Sequence, residues 1–206
     1  MKDAIRALKL YDRETSGNGY KVRLLLSFLG LQFEVIPVRL KDGKNDVDDA
    51  YLELNPRGQI PTLNDNGFIL WGSTAILVYL AMRFDPARRW LPATPDGAAQ
   101  VMQWLELAQN EIASGLFRAR AIARFGYAGD LASARVDGVR ALEILDRHLD
   151  THVWLAAAQP TIADIACFPY VGLAHEGGFD LDAYPHVGQW LQRFRALENF
   201  IAMPGI

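Results

Sequence analysis

The chain has a single cysteine, Cys167, which excludes an internal disulfide, a Cys-x-x-Cys redox pair and a thiolate zinc site. It has no apolar run long enough to span a bilayer, and charged residues stand near Met1 where a signal peptide would have its apolar stretch. Excess charge is also small, because 21 basic and 24 acidic residues leave a net charge of −3. With neither a clustered basic face nor a basic amphipathic segment, the sequence predicts a cytoplasmic protein that binds neither nucleic acid nor membrane.

Metal-binding patterns are also missing. The four histidines, His148, His152, His175 and His186, are scattered and form no His-Glu-x-x-His or facial-triad spacing. We therefore predict no metal site. Cys167 lies in an apolar run and is predicted to be a buried structural thiol.

The first eighty or so residues alternate between strand-like and helix-like patterns. Asn66-Gly67 separates two short apolar runs, which indicates a β-hairpin. A parallel βαβ crossover followed by a hairpin predicts a small mixed α/β sheet. The predicted strands are 8–11, 33–38, 62–64 and 68–70, and the predicted helices are 20–29, a short one before Asn55, and 73–83.

After Asp85-Pro86 the pattern becomes helical throughout. The sequence therefore predicts a mixed α/β domain over residues 1–84, a linker over 85–94 and an all-α domain over 95–206. Helices are predicted over 95–125 as one long segment, over 132–149, from Thr161 onward, and around 187–197.

Two neighbouring motifs predict a binding site for an extended, anionic peptide. Ile60-Pro61 directly precedes an apolar strand, and a cis bond there would present the Ile60 backbone sideways to a ligand. A trans proline that opens an edge strand is an equally good interpretation of these two residues alone. Ser73 is predicted to cap the following helix, whose free N–H groups favour an anion.

A third motif connects the first strand to the first helix. Ser16 and Asn18 lie there beside a helix N-terminus, where the helix dipole and a hydroxyl would stabilise a substrate thiolate. The alternative is that Ser16 is only a helix cap and Asn18 only a turn residue.

Taken together, the segments 55–63 and 73–77 and the helical remainder resemble the soluble glutathione transferase family over nearly the whole chain. The segment Pro160 to Ala166 also matches, as a capping box in which Thr161 caps the helix and Asp164 reaches back. The resemblance implies that the α/β domain over residues 1–84 is thioredoxin-like and that glutathione is a co-substrate. It also implies that family members form homodimers and that the capping box serves folding.

The resemblance also implies residue roles. Glutathione would bind along Gln59, Ile60, Pro61, Gly72 and Ser73, with the Ile60 backbone pairing with the cysteinyl part and Ser73 binding the γ-glutamyl carboxylate. Lys41 or Lys44 would meet the glycyl carboxylate, although these lysines also fit a solvated charge run.

At the thiol position the family uses tyrosine, serine or cysteine. The spacing to Lys21-Val22 places Ser16 there, followed by Asn18 as the second candidate. Tyr11 is the weaker candidate because it ends the strand and packs in the core. The form of this loop also resembles bacterial members, including the Nu-like group, in which an asparagine contacts the thiol.

One position departs from the family pattern. The residue before the serine is usually acidic or an amide, and here it is Gly72, so a contact to the γ-glutamyl amino group is lost. Such a charge-assisted hydrogen bond contributes about 1.5–3 kcal/mol. Glutathione would bind weakly, a partner subunit would replace the contact, or the chain would have turned to another ligand.

The predicted function is conjugation of the glutathione thiolate to a small apolar electrophile held against the helical domain. A glutathione-dependent disulfide reductase and a non-catalytic binding or scaffold protein are the alternatives. Arg118, Arg120 and Arg124 are predicted to form a solvated basic face, and the alternative is that they help an acidic electrophile or a sulfonated product to approach the thiol. The candidate lining residues of the electrophile pocket, for which core packing is an equal explanation, are Trp104, Leu105, Leu107, Leu116 and Phe117.

Overall fold

Four short strands form one mixed sheet in the computed structural model, which describes residues 8–38 and 47–206. The sheet order is β2-β1-β3-β4, with β1 and β2 parallel and β3 antiparallel to both β1 and β4. Asn66 and Gly67 have φ angles of 51° and 93°, which suits the tight hairpin between the last two strands. The strands are β1 (Leu8–Asp12), β2 (Phe33–Pro37), β3 (Thr62–Asp65) and β4 (Phe68–Trp71).

Three helices accompany the sheet: α1 (Gly17–Phe28), α2 (Asp49–Leu54) and α3 (Ser73–Phe84). Helix α1 makes the crossover between the parallel strands, as the apolar periodicity predicts. Leu25 and Leu26 of α1 and Ile76 of α3 are completely buried in the shared core. The predicted thioredoxin-like α/β domain followed by a helical domain is confirmed.

The helical part contains α4 (Pro95–Gln109), α5 (Arg118–Phe125), α6 (Leu131–Leu149), α7 (Ile162–Gly172) and α8 (Pro185–Arg195). The single helix predicted over 95–125 is wrong, because α4 and α5 are separate and a π-helical segment, Ala113–Phe117, lies between them. In that segment Gly115 packs against α6 so closely that an added Cβ would lie 2.5 Å from the Gly138 Cα atom. The interruption thus coincides with a close helix crossing.

Helix α7 is buried along its whole length. Thr161 and Asp164 form the capping box that the sequence predicts, with the Thr161 N–H donating to Asp164 Oδ2 at 2.9 Å. Cys167 is completely buried, as predicted, and burial raises the pKa of its thiol. Among the helices of residues 8–38 and 47–206, none combines the length and apolar character that a bilayer crossing requires.

Lys21 of α1 is buried where α1 packs on α7. Its ammonium lies 5.0 Å from the centroid of the Tyr170 ring and forms no ion pair with a carboxylate in the described ranges. Burial, opposed only by an electrostatic contribution from Cys167, lowers the pKa of Lys21 from 10.5 to about 8. The charged form is therefore disfavoured in the folded protein.

We expect Lys21→Met to stabilise the protein at pH 7, because the buried cation is removed. The unfolded chain keeps the lysine protonated up to pH 10.5, whereas the folded chain releases the proton near pH 8. Between pH 8 and pH 10.5 the free energy of unfolding of the wild type therefore rises relative to that of Lys21→Met. Over this range the difference in stability that favours the variant decreases by about 3 kcal/mol. Urea unfolding from pH 7 to pH 10.5 measures this difference.

Lys9→Met is the matched control, because Lys9 is partly exposed and makes only a 3.9 Å surface ion pair with Glu34. The free energy of unfolding of Lys9→Met should stay within about 0.5 kcal/mol of the wild-type value at every pH. A stability difference for Lys21→Met that does not change with pH would contradict the burial argument.

Candidate functional site

The loop between β1 and α1 brings a hydroxyl to a helix N-terminus. Ser16 is the N-cap residue of α1, and its Oγ accepts a hydrogen bond from the Gly19 N–H at 3.0 Å. That bond uses an oxygen lone pair and leaves the hydroxyl hydrogen available to a ligand. The Ser16 N–H donates to the Arg13 carbonyl at 3.0 Å, which holds the loop in a tight turn. Ser16 is thus a cap, and it also lines a cavity.

Asn18 lies in the first turn of α1 and joins the two predicted motifs. Its Oδ1 accepts a long hydrogen bond, 3.4 Å, from the Ser73 hydroxyl. The amide NH₂ of Asn18 has no hydrogen-bond partner in the described part of the chain, so it can donate to a ligand. Ser16, Asn18 and Ser73, predicted from separate segments, therefore meet at one place.

The segment before β3 has a fixed backbone. The Gln59 carbonyl accepts hydrogen bonds from the Tyr51 hydroxyl at 2.8 Å and from the Asn55 side-chain amide. The Ile60–Pro61 peptide bond is cis. Within residues 8–38 and 47–206 the Ile60 N–H and C=O have no hydrogen-bond partner. A backbone donor and acceptor are thus available to an extended ligand.

Ser73 does not cap α3, which corrects the sequence prediction. The N-cap residue is Gly72, with φ 87° and no side-chain hydrogen bond, and Ser73 is the first helical residue. Its hydroxyl is consequently turned toward Asn18 rather than toward its own helix. A Cβ built on Gly72 would have no atom within 4 Å, so glycine leaves open space there. The prediction that the first strand ends at Tyr11 is also wrong, because β1 continues to Asp12.

Two cavities meet along this segment. A small cleft of about 60 Å³ contains Ile60, Pro61, Gly72 and Ser73 among its lining residues. A larger cavity of about 750 Å³ lies between the sheet domain and the helices. The residues that line both are Asn18, Arg57, Gln59 and Ile60.

The wall of the larger cavity on the helical side is aromatic. Of the five lining candidates named from the sequence, only Phe117 faces this cavity, while Leu105 and Leu116 are buried in the core. Trp104 and Leu107 pack against that core. The other aromatic side chains of the wall, which sequence analysis did not identify, are Phe125, Tyr127 and Tyr170.

Arg120 is buried, which contradicts the predicted solvated basic face for this residue. Its Nε donates to Glu176 Oε2 at 2.5 Å, and a terminal nitrogen donates to the Thr15 carbonyl at 3.2 Å. The second bond crosses from α5 to the loop that carries Ser16. Arg118 and Arg124 remain exposed, in line with the prediction.

Tyr170 lies against the other side of the same loop. A Cβ on Gly17 would come within 2.6 Å of the Tyr170 ring, so only glycine fits between them. Burial raises the pKa of Tyr170, and Arg120 and the Asn18 backbone partly oppose that increase. The Tyr170 hydroxyl is therefore neutral at physiological pH and remains a hydrogen-bond donor.

Lys41 and Lys44, the candidates for the glycyl carboxylate, lie outside the described residues. In the described part of the chain no group of three or more histidine, cysteine or acidic side chains is gathered in a way that would hold a metal ion. Two residues that the sequence analysis did not single out, Gln109 and Trp71, line the small cleft.

Family models match both halves of the chain. Residues 6–82 match the glutathione S-transferase N-terminal domain, and residues 103–193 match the glutathione S-transferase C-terminal domain. The chain therefore belongs to the glutathione S-transferase family, which confirms the resemblance.

Individual relatives agree with this assignment. Glutathione S-transferase GstB of Escherichia coli K12 is 32% identical over 194 residues, covering 90% of this chain and 92% of that protein. Glutathione S-transferase 3 of Zea mays is 33% identical over 204 residues, covering 94% and 91%. The crystal structure of a glutathione S-transferase from Pseudomonas fluorescens Pf-5 superposes with a TM-score of 0.88 at 33% identity, covering 96% of this chain and 98% of that one. These relatives support a transferase enzyme over the reductase and scaffold alternatives.

Proposed function

We propose that the protein conjugates the thiolate of glutathione to small electrophiles with a largely apolar body. The observation that carries the proposal is the continuous site in which the small polar cleft opens beside Asn18 into the larger, aromatic-walled cavity. The cleft suits an extended tripeptide and the cavity suits a second substrate. Their junction is where a thiolate and an electrophile would meet, and catalysis would consist of positioning and stabilising charge.

Glutathione would lie along the cleft with its cysteinyl backbone on Ile60 and its γ-glutamyl carboxylate at Ser73. The free Ile60 N–H and C=O support the first contact. The second is supported by Ser73, which starts α3 and therefore offers its own unpaired N–H at a helix N-terminus. Arg57, which lines both cavities, would meet the glycyl end. Lys41 or Lys44 stays a prediction for the same role.

The thiol would lie beside Ser16 and Asn18. The Ser16 hydroxyl hydrogen and the Asn18 amide are both free to donate, and α1 adds the partial positive charge of its N-terminus. Each charge-assisted contact that favours the thiolate lowers the thiol pKa, and one pKa unit corresponds to about 1.4 kcal/mol.

Gln109 would replace the contact that Gly72 cannot make. Its side-chain amide reaches the cleft from α4, and its Nε2 donates to Thr74 Oγ1 at 2.8 Å. That bond leaves Oε1 as an acceptor for the ammonium of the γ-glutamyl group. The contact thus comes from the helical domain of the same chain, in place of a side chain at Gly72.

We expect Gln109→Leu to weaken glutathione binding about tenfold, because a hydrogen bond to a charged group is lost. Titration calorimetry with glutathione and with its analogue lacking the amino group measures the effect. The analogue should bind wild type more weakly, and Gln109→Leu should not weaken it further.

Gln103→Leu is the matched control, since Gln103 is exposed on the same helix and does not line the cleft. No heat of binding for wild type at millimolar glutathione would overturn the proposed function. An equal loss of affinity for both ligands in Gln109→Leu would overturn the role of Gln109 alone.

Other features of the proposal stay predictions. They are the similarity of the loop between β1 and α1 to bacterial, Nu-like members, the formation of a homodimer, and the cytoplasmic location. The domain limits 1–84 and 95–206 also stay predictions. Sedimentation velocity tests the dimer directly.

A further inference from the structure

The larger cavity carries charge of one sign. Three of its described lining side chains are charged, and all three are arginines: Arg13, Arg57 and Arg120. No aspartate or glutamate lies among the described lining residues. A cleft lined by one sign of charge with walls of low dielectric concentrates ligands of the opposite sign. The cavity is therefore prepared for an anion in addition to an apolar body.

Two of these arginines flank the thiol position. Arg13 precedes Ser16 by three residues, in the turn closed by the hydrogen bond from the Ser16 N–H to the Arg13 carbonyl. Arg120 approaches from α5 and bonds the Thr15 carbonyl. Arg57 lies at the opposite side, 5.9 Å from the Trp71 ring centroid and beside the cleft assigned to glutathione.

The nearby carboxylates are already engaged by other residues. Glu176 pairs with Arg120 and with Arg124. Asp12 is completely buried beneath the loop and pairs with Arg23. Arg120 is therefore paired with Glu176, whereas neither carboxylate forms an ion pair with Arg13 or Arg57.

The guanidinium groups of Arg13 and Arg57 both lack an ion pair in the described residues, and Arg57 is assigned to the glycyl end of glutathione, which leaves Arg13 for the second substrate. The Arg13 guanidinium makes no ion pair and no hydrogen bond with residues 8–38 and 47–206, and its Nε atom is buried. A guanidinium that lines a cavity and forms no ion pair is available to an anionic ligand there. Guanidinium binds a carboxylate through two parallel hydrogen bonds, which also orients the ligand.

We propose, on the basis of the conjugation function above, that the second substrate is an aromatic electrophile bearing a carboxylate that pairs with Arg13. Its ring lies against the aromatic wall formed by Phe117, Phe125 and Tyr170. Arg120 holds the Thr15 carbonyl and so keeps the loop in position. Arg13 lines the larger cavity, whereas the small cleft assigned to the glutathione backbone does not include it.

The reaction with a chloronitrobenzoate illustrates the balance of the step. The glutathione sulfur attacks the ring carbon that bears chlorine, a C–S bond forms, and the C–Cl bond breaks with release of chloride. The thiol proton has gone to solvent, and the carboxylate stays unchanged as the orienting group.

The test compares 4-chloro-3-nitrobenzoate with 4-chloro-3-nitrobenzamide, which has the same shape and no charge. Each kcat/KM is divided by the rate constant of the uncatalysed reaction with glutathione, which removes the difference in intrinsic reactivity. We expect wild type to favour the carboxylate by at least about tenfold, and Arg13→Gln to lose that preference while the amide rate changes less than about twofold. Arg140→Gln, an exposed residue on α6, controls for the change in net charge.

A binding measurement separates this inference from the proposed function. Calorimetry with S-(4-carboxybenzyl)glutathione and S-benzylglutathione requires no turnover, and the carboxylate should tighten binding to wild type but not to Arg13→Gln. Turnover of the amide with no carboxylate preference would overturn the inference and leave conjugation intact. A preference that survives in Arg13→Gln, or a weaker affinity for glutathione itself in that variant, would overturn the role of Arg13. If Arg13→Gln does not fold, Arg13→Lys serves instead and should retain only part of the preference.

Discussion

Asp164→Ala is expected to destabilise the protein by about 4 kcal/mol, a large part of the 5–15 kcal/mol that holds a typical domain folded. The Asp164 carboxylate is completely buried and accepts four hydrogen bonds. The donors are the Leu155 N–H at 3.1 Å, the Thr161 N–H at 2.9 Å, the Thr161 hydroxyl at 3.4 Å and the Trp190 indole N–H at 3.0 Å. Alanine leaves all four donors without that acceptor.

The size of the effect follows from where these donors lie. They belong to the start of α7, to the segment before it and to α8, so one carboxylate connects three parts of the helical domain. Burial raises the pKa of Asp164 to about 6, and the group is therefore ionised at pH 7. Each buried donor left unpaired costs about 1–3 kcal/mol, which outweighs the relief of removing a buried charge.

Asp130→Ala is the matched control, because the Asp130 carboxylate also accepts backbone hydrogen bonds at a helix N-terminus, as the N-cap of α6, but is exposed. Its loss should be only about 1 kcal/mol. Asp164→Asn should fall between the two, since the amide keeps one acceptor oxygen. Equilibrium urea unfolding measures all three, and equal losses for Asp164→Ala and Asp130→Ala would contradict the network argument.

The sequence was sufficient for the elements whose determinants are local. The βαβ order, the Asn66-Gly67 hairpin and the capping box at Thr161 each depend on residues within a few positions of one another. Family motifs also indicated the segments around Ile60 and Ser73, which line the same cleft in the structure. These features are encoded by periodicity and by backbone chemistry, so a single chain is enough to identify them.

Features that depend on packing between distant segments could not be predicted. The basic run on α5 gives no indication that Arg120 turns inward, because Glu176 and the Thr15 carbonyl come from other parts of the fold. Tyr170 reaches the loop between β1 and α1 only because Gly17 leaves room for its ring. The interruption between α4 and α5 likewise depends on the approach of α6 to Gly115.

Ser16 can cap a helix and also contribute to a binding site, so the two interpretations of this residue do not compete. Its side-chain oxygen accepts a hydrogen bond from the Gly19 N–H and caps α1, as the interpretation as a helix cap requires. The same bond orients the side chain, so that the hydroxyl hydrogen is left for a ligand at the cavity that Ser16 lines. The cap would thus preorganise the thiolate donor.

We expect Ser16→Ala to lower kcat/KM for glutathione conjugation by about 10- to 100-fold, because a hydrogen-bond donor to the thiolate is lost. The pKa of the thiol of bound glutathione, measured by thiolate absorbance, should rise by about one to two pKa units. Asn18→Ala should act in the same direction with a smaller effect, since α1 and Ser16 still support the thiolate.

Loss of the helix cap must be separated from loss of the thiolate donor, and two variants do this. Thr94→Ala removes an equivalent cap from α4 at a residue that lines neither cavity, and it should reduce stability by about 1 kcal/mol without changing the thiol pKa. Ser16→Thr keeps the hydroxyl and should recover most of the activity. If Ser16→Ala and Asn18→Ala both left the thiol pKa unchanged, the thiolate would have to be stabilised by another group at the same corner. Tyr170 would then be the strongest candidate, because its neutral hydroxyl lies against Gly17 and faces the cavity.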